Sequence, residues 1–227
     1  MKKLVPLFVL VMLVSACGIS SDLTRGNLYP GMYEEKPVTL LVMPPINNSA
    51  NVEAKDLLYT SISRPLAEAG YYVIPPTLSM AVLRQESGYD AELFLDRSLR
   101  QFHDFFGADA VVFSVIDSWA KQGLGINTKI RYIIKSAVTD QVLFDRTCDL
   151  FLDLSVDSDA SDKKLLSILI DVAAGALDTA LTDQIVAARK ANYYIFRDLP
   201  VGKYDNLYLQ DQEFSADPQN IKKVVKE

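Results

Sequence analysis

The chain has 227 residues, 49% of them hydrophobic and 23% charged, with a formal net charge of −6. That composition is ordinary for a globular protein, and the length suits one core plus tails. An acidic chain has no electrostatic footprint for nucleic acid, and it argues against basic patches that hold anionic lipid.

Met1-Lys2-Lys3 is a short basic start, Leu4 to Val14 is an apolar run interrupted only by Pro6, and Val14-Ser15-Ala16-Cys17 brings small residues up to a cysteine. This is the layout of a secretory signal over residues 1–16. The apolar run falls short of the roughly 20 residues a membrane-spanning helix needs. A cysteine immediately after the cut matches the lipobox of bacterial lipoproteins, so Cys17 is expected to carry lipid and become the new N-terminus. The alternatives are an ordinary signal peptide with a chance cysteine and an N-terminal membrane helix. Removing residues 1–16 from 227 leaves 211, at a formal charge of −8 because Lys2 and Lys3 go with them. The anchor must then be the acyl chains, two or more of which make attachment stable. With Cys17 lipidated, Cys148 has no partner for an intramolecular disulfide. It is expected to be a small buried hydrophobe rather than a reactive thiol or a route to a homo-oligomer.

Residues 17–37 form the lipidated cysteine and a tether rich in Gly, Ser, Pro and Asn, with a span of roughly 25 Å as a flexible coil. A single domain is expected over 38–208. Val38 to Met43 reads as a buried strand stopped by Pro44-Pro45. Asn51 is a plausible N-cap for a helix over Val52 to Ala69, with Leu57, Leu58, Ile62 and Leu66 at helical spacing and Gly70 as the stop. Pro65 predicts a kink or break near Ser61. Tyr71 to Ile74 reads as a strand, Leu78 to Gln85 as a short helix, and Asp90 to Phe106 as a helix capped by Asp90 and ended by Gly107. Asp109 to Ile116 is nearly continuous apolar sequence, as in a central strand covered on both faces. The β–α–β–α–β order argues for an α/β layer structure.

The pattern then changes to alternation. Thr128 to Val138 sets Ile130, Tyr132, Ile134 and Val138 against Lys129, Arg131 and Lys135. Val142 to Leu154 sets Phe144, Cys148, Leu150 and Leu152 against Asp145, Asp149, Phe151 and Asp153. A hairpin through Thr139-Asp140 aligns the basic row with the acidic row, worth a few tenths of a kcal/mol per pair. Charge-matched solvated faces are the plainer reading and a recognition strip the sharper one. Leu165 to Lys190 is the longest helical stretch, with Leu165, Leu169, Val172, Ala176 and Ala180 on one stripe. Tyr193 to Tyr208 is aromatic-rich with a turn at Leu199-Pro200-Val201-Gly202, and residues 209–227 are polar and expected to be disordered.

The chemistry-bearing residues are sparse. His103 has no orienting partner or nucleophile in its pattern, and its place beside Phe102 and Phe106 reads as the flank of a core helix. There is no second histidine, no paired cysteine and no acidic loop for a metal. Gly123-x-Gly125 opens no helix and fails as a phosphate loop. No catalytic, cofactor-binding or metal-binding residue is therefore assigned, and an enzyme is not favoured. Interface anchors are enriched in Tyr and Phe, so Tyr204 and Tyr208 are the candidate partner-binding residues.

The motifs MPPINNSANVEAKDLLYTSISRPLAEAGYYVIPP and FGADAVVFSVIDSW, covering Met43 to Trp119, closely resemble a bacterial lipoprotein family of unassigned function first noted as a meningococcal surface-antigen candidate. The resemblance rests on Pro44, Pro45, Asn47, Pro65 to Val73 and Phe106 to Ala110. One departure is the hairpin turn, where the family usually has Thr-Gly and this chain has Thr139-Asp140. The resemblance implies a three-layer α/β domain similar to the TolB N-terminal domain and to the curli-export lipoprotein CsgG, with a mixed sheet, a C-terminal hairpin and a long C-terminal helix. It also implies an outer-membrane protein facing the periplasm, with CsgG-like envelope lipoproteins as partners, and it carries no catalytic residues. Gly18 after the cysteine resembles the outer-membrane sorting signal of enteric bacteria. The function expected is a non-catalytic binding or assembly component of an envelope export or maintenance complex. The rivals are a lipoprotein activator of peptidoglycan synthesis, which a long tether would favour, and a periplasmic enzyme of unrecognised chemistry.

Overall fold

The computed structural model describes residues 23–85, 89–155 and 181–226. Thr24 accepts the Asn27 N–H and opens α1 (Arg25–Leu28), and Pro30 starts α2 (Pro30–Glu35), which ends on Lys36 in the left-handed region. The apolar run after Val38 becomes β1 (Thr39–Val42). Pro44-Pro45 end it before the two-residue β2 (Ile46–Asn47). Just ahead of α3 (Ala54–Glu68), whose N-cap is Glu53, Asn51 Oδ1 accepts the Glu53 and Ala54 N–H groups. Gly70, at φ 86°, turns the chain into β3 (Tyr72–Val73). Then come α4 (Pro76–Gln85), a 3₁₀ turn (Ala91–Phe94), α5 (Arg100–Phe106) and three long strands, β4 (Ala110–Gln122), β5 (Gly125–Ser136) and β6 (Val142–Asp153). The last helix, α6, is described over 181–196, and β7 (Asn220–Lys226) closes the chain.

The seven strands form one mixed sheet in the order β3-β1-β4-β5-β6-β7, with β2 pairing β4 beyond the end of β1. Pairing is parallel at β3/β1, β1/β4, β2/β4 and β6/β7, and antiparallel through β4, β5 and β6. Because side chains alternate along a strand, β1 and β4 supply both faces at once. Leu40, Val42, Ala110 and Val112 join a core under α3 and α6, while Leu41, Met43, Val111 and Phe113 join a second core under α4 and α5. The sheet is thus sandwiched between helices at its centre, the three-layer α/β arrangement expected of it.

In the first core Asn192 of α6 joins three elements. Its Oδ1 accepts from the Tyr132 hydroxyl at 2.7 Å, and its Nδ2 donates to the Leu58 carbonyl and Ser61 Oγ at 3.2 and 2.9 Å. Every polar atom of that buried amide has a partner, which fixes how α3, α6 and β5 sit together.

Several expectations are corrected. Helix α3 is unbroken across Ser61 despite Pro65, since Leu58, Ile62 and Leu66 hold it on the sheet. The helix expected from Asp90 to Phe106 is split. Leu95 O and Leu99 N would bond each other in an unbroken helix, but Lys135 Nζ donates to the first at 2.6 Å and Asp140 Oδ1 accepts from the second at 2.7 Å. The segment read as a tether is docked from Leu23 onward, with Tyr29 and Met32 in the core. The tail expected to be disordered pairs with β6 as β7, burying Ile221 and Val225. Of the expected stripe on the long helix, Leu165 to Ala180 lies outside the described residues, as do the signal segment and Cys17. Helix α6 runs past Lys190 and includes Tyr193, Tyr194 and Phe196.

Candidate functional site

Between α6 and β7 runs a strap, residues 197–219, laid over the helix layer and the edge of the sheet. Its first turn docks on the end of α3. The Tyr71 hydroxyl donates to Pro200 O at 2.5 Å, Gly202 N donates to Ala69 O at 2.8 Å, and Tyr204 N donates to Gly70 O at 3.0 Å. The two glycines are needed here: a Cβ on Gly202 would sit 2.4 Å from Gly70 O, and one on Gly70 would sit 2.7 Å from Asp205 N. These bonds satisfy carbonyls that the end of α3 leaves open.

Two buried carboxylates hold the rest of the strap. Asp211 accepts from Arg25 at 2.8 Å, the Tyr33 hydroxyl at 3.1 Å and Val201 N at 3.0 Å, and is fully buried. Asp198 pairs with Arg146 and accepts the Asp217 N–H, while Arg146 also donates to Ile195 O and Asp217 O. The guanidinium carbon of Arg146 lies 5.4 Å from the ring centres of both Tyr29 and Phe144. Burial works against the Arg146 charge, but Asp198 and Tyr29 outweigh it and raise its pKa. Burial pushes the Tyr29 hydroxyl up to about 12. None of these ionic partners was found from the sequence. The available signal was Arg146 itself, a charge at an inward position of β6 between Phe144 and Cys148.

The predicted anchors sit on this strap. Tyr204 is 68% exposed and Tyr208 is half-buried. The backbone beneath Tyr204 is pinned, so the ring is presented from a fixed position. Tyr193 is exposed, whereas Phe196 is buried against Tyr132 and Phe144. The other singled-out strip, the acidic row of β6, already has basic neighbours. Lys129 of β5 and Lys222 of β7 stand opposite Asp149, Lys226 stands opposite Asp153, and Arg131 reaches Asp145 at 2.5 Å.

At the far end of β4 a cleft of about 120 Å³ is lined by Trp119, Ile126, Leu154, Asn51, Lys121 and Gln184. The Trp119 indole nitrogen is buried and has no hydrogen-bond partner among the described residues. The cleft is mostly apolar and has room for about one small group. His103 Nδ1 lies 2.9 Å from Ala108 O, so the imidazole is used in joining α5 to β4. Cys148 is fully buried in the first core, and burial pushes its thiol up to about 12. Among the described residues, no group of three or more His, Cys, Asp or Glu side chains could hold a metal ion, and no helix is long and apolar enough to cross a membrane.

A family model described as "Putative lipoprotein GNA1162-like" matches residues 28–196. The chain belongs to this family. The match runs from the end of α1 through α6 and stops where the strap begins. A GNA1162-like relative, "Putative lipoprotein NMB1124/NMB1162" of Neisseria meningitidis serogroup B, is 25% identical over 194 residues, covering 86% of this chain and 89% of the relative. The crystal structure of lipoprotein GNA1162 from Neisseria meningitidis is 24% identical with a TM-score of 0.46, covering 63% of this chain and 99% of that one. A variant PelC dodecamer from Paraburkholderia phytofirmans is 10% identical with a TM-score of 0.42, covering 72% of this chain and 90% of that one. The GNA1162-like family is one of lipoproteins without an assigned function, and the chain is placed with it in the cell envelope.

Proposed function

We propose that this lipoprotein is anchored through Cys17 in the outer membrane, faces the periplasm, and acts as a non-catalytic binding or assembly component of an envelope export or maintenance complex with CsgG-like lipoprotein partners. The observation that carries the reading is the strap. A segment fixed to the domain by two buried carboxylates and a glycine-glycine contact presents an exposed tyrosine from a rigid backbone. Rigid aromatic anchors are what protein interfaces favour, because little freedom is lost on binding. Lipid anchoring confines the domain to a surface and raises its effective concentration for partners anchored in the same membrane. A component that must cross the peptidoglycan layer needs a long tether. Here the docked helices α1 and α2 leave only residues 18–22 between Cys17 and the domain. Replacing Tyr204 and Tyr208 together by Ala is expected to leave a folded, membrane-bound protein that no longer co-purifies with neighbouring lipoproteins. Unchanged co-purification removes the two tyrosines as the interface, and isolation as a lone monomer from native membranes ends the assembly reading.

A further inference from the structure

The chain enters the described domain at Leu23, and its first residues pair with the strap. Ala216 N donates to Leu23 O at 2.7 Å, Arg25 N donates to Phe214 O at 2.9 Å, and Thr24 bridges Ser215. The entry point is therefore fixed on the domain surface. Two large apolar side chains stand beside it in solvent, Leu23 at 42% and Phe214 at 44% exposed. The Arg25 guanidinium lies 5.7 Å from the Phe214 ring centre, but its charge is committed to the buried Asp211. The Arg25 charge is thus neutralised, and the exposed neighbours of Phe214 are Gln212, Glu213 and Ser215, so the face offers two apolar side chains beside one carboxylate.

Six Cα steps separate Cys17 from Leu23. Whatever path residues 18–22 take, those steps reach no more than about 22 Å. We propose that the face around Leu23 and Phe214 rests on the bilayer that holds the acyl chains, with the two side chains in the headgroup region. This rests on the reading of Cys17 as the lipidated residue. The occupant follows from the length of chain left outside the domain: a surface so close to the anchor meets lipid before any other partner. Two side chains alone bind a bilayer weakly, but an attached domain meets it at high effective concentration, so a weak contact is populated. The contact is apolar rather than ionic, as an acidic chain requires. It leaves Tyr204, at the α3 end of the strap, for a protein partner.

The test uses the full-length acylated chain in vesicles of phosphatidylethanolamine with a minority of phosphatidylglycerol. An environment-sensitive fluorophore is attached at Phe214→Cys and, as a control, at Phe105→Cys on α5, the helix covering the opposite face of the sheet. The buried Cys148 does not compete for the label. Doxyl-labelled lipids are expected to quench the label at 214 and not the one at 105, and the emission at 214 is expected to shift to shorter wavelength. Should Phe214→Cys not fold, Glu213→Cys reads the same face. An acylated, vesicle-bound chain quenched no more at 214 than at 105 overturns this inference alone. A chain without acyl groups on Cys17, shown by mass spectrometry of its N-terminal peptide, overturns the anchoring and this inference with it.

Discussion

The centre of the sheet and the strap over its edge are held by opposite chemistry. At the centre, β1 and β4 bury apolar side chains on both faces, with Leu40, Leu41, Val111, Val112 and Phe113 wholly out of solvent. The strap buries few such side chains and depends on Arg146–Asp198 and Arg25–Asp211. Burial of hydrocarbon is favourable in itself. A buried ion pair offsets the cost of desolvating its own members, so removing one member is far worse than never having had the pair. The centre therefore tolerates loss gradually, while the strap is held on by a few all-or-none contacts.

The largest effects should come from the strap. Asp211→Ala leaves the Arg25 charge without its carboxylate, with Leu199 O as the remaining acceptor, and the Tyr33 hydroxyl and Val201 N without theirs, while Asp198→Ala removes the counter-charge of Arg146. Each is expected to destabilise by about 3–5 kcal/mol, read as a shift of the urea midpoint. The sharper form is a double replacement, Arg146→Met with Asp198→Leu, which should recover much of the loss. A double variant no more stable than Asp198→Ala would show that the pair contributes net attraction and not only compensation.

At the centre, Leu41→Ala creates a cavity under α4 and is expected to cost about 2–5 kcal/mol. The two regions should then differ in kind. Losses at the centre should follow the volume removed, whereas losses at the strap should depend on which partner is left behind. A series at position 41 through Val and Ala that fails to follow volume would erase the distinction.

The same contrast explains what could be read from the sequence. Apolar runs and alternation announce β1, α3, β3, β4, β5 and β6, because each buries side chains according to its own period. The short polar stretch after Leu23 and the lysine-rich end do not announce themselves. Tyr29 packs on Phe144 with ring centres 4.6 Å apart, a contact across more than a hundred residues that no local period encodes. β7 reads as Asn-Ile-Lys-Lys-Val-Val-Lys, and its pairing is favoured by Asp149 and Asp153 of a distant strand. The split of the Asp90–Phe106 segment comes likewise from Lys135 and Asp140 on other elements. Of the candidate site, Tyr204 and Tyr208 were legible as residue types. The acids that fix the backbone beneath them were not, since an isolated Asp in a polar stretch looks like solvated surface. The buried indole N–H of Trp119 likewise has no sequence signal.

A smaller effect ties the central core to pH. Burial holds the Cys148 thiol near 12 instead of its ordinary 9.0. The folded state then keeps a proton that the unfolded state loses, so this contribution is complete below about pH 9 and is lost as pH rises toward 12. Tyr29, held near 12 by burial, acts in the same direction above its ordinary 10.0. Stability should fall across this range with a slope of up to about 1.4 kcal/mol per pH unit per group. Cys148→Ala should flatten the lower part of that slope while Tyr29→Phe flattens the upper part. Identical slopes in the wild type and Cys148→Ala would mean that the thiol is not held protonated. Rapid labelling of the native chain at Cys148 by a polar maleimide would point the same way.

The smallest effect concerns a polar contact within the central region, where the contrast between hydrocarbon and charge is least clean. Asp140 occupies the left-handed region at φ 62° in the hairpin turn, and its Oδ1 accepts the Leu99 N–H at the start of α5. Glycine would relieve the backbone cost of that conformation, which for an aspartate is at the low end of about 1–2 kcal/mol. It would also delete an acceptor whose bond to a backbone N–H is worth about 1.5–3 kcal/mol when charged. The two terms oppose, and Asp140→Gly is expected to destabilise by about 0.5–2 kcal/mol. Asp140→Asn keeps both the tolerance of positive φ and an oxygen at the same place, and should cost less than the glycine. Hydrogen exchange at the Leu99 amide separates the terms: it should quicken in the glycine variant and change little in the asparagine one. If glycine instead stabilises the protein and leaves that amide protected, the carboxylate does not set the start of α5. The gap between the 3₁₀ turn and α5 would then rest on Lys135 and the Leu95 carbonyl alone.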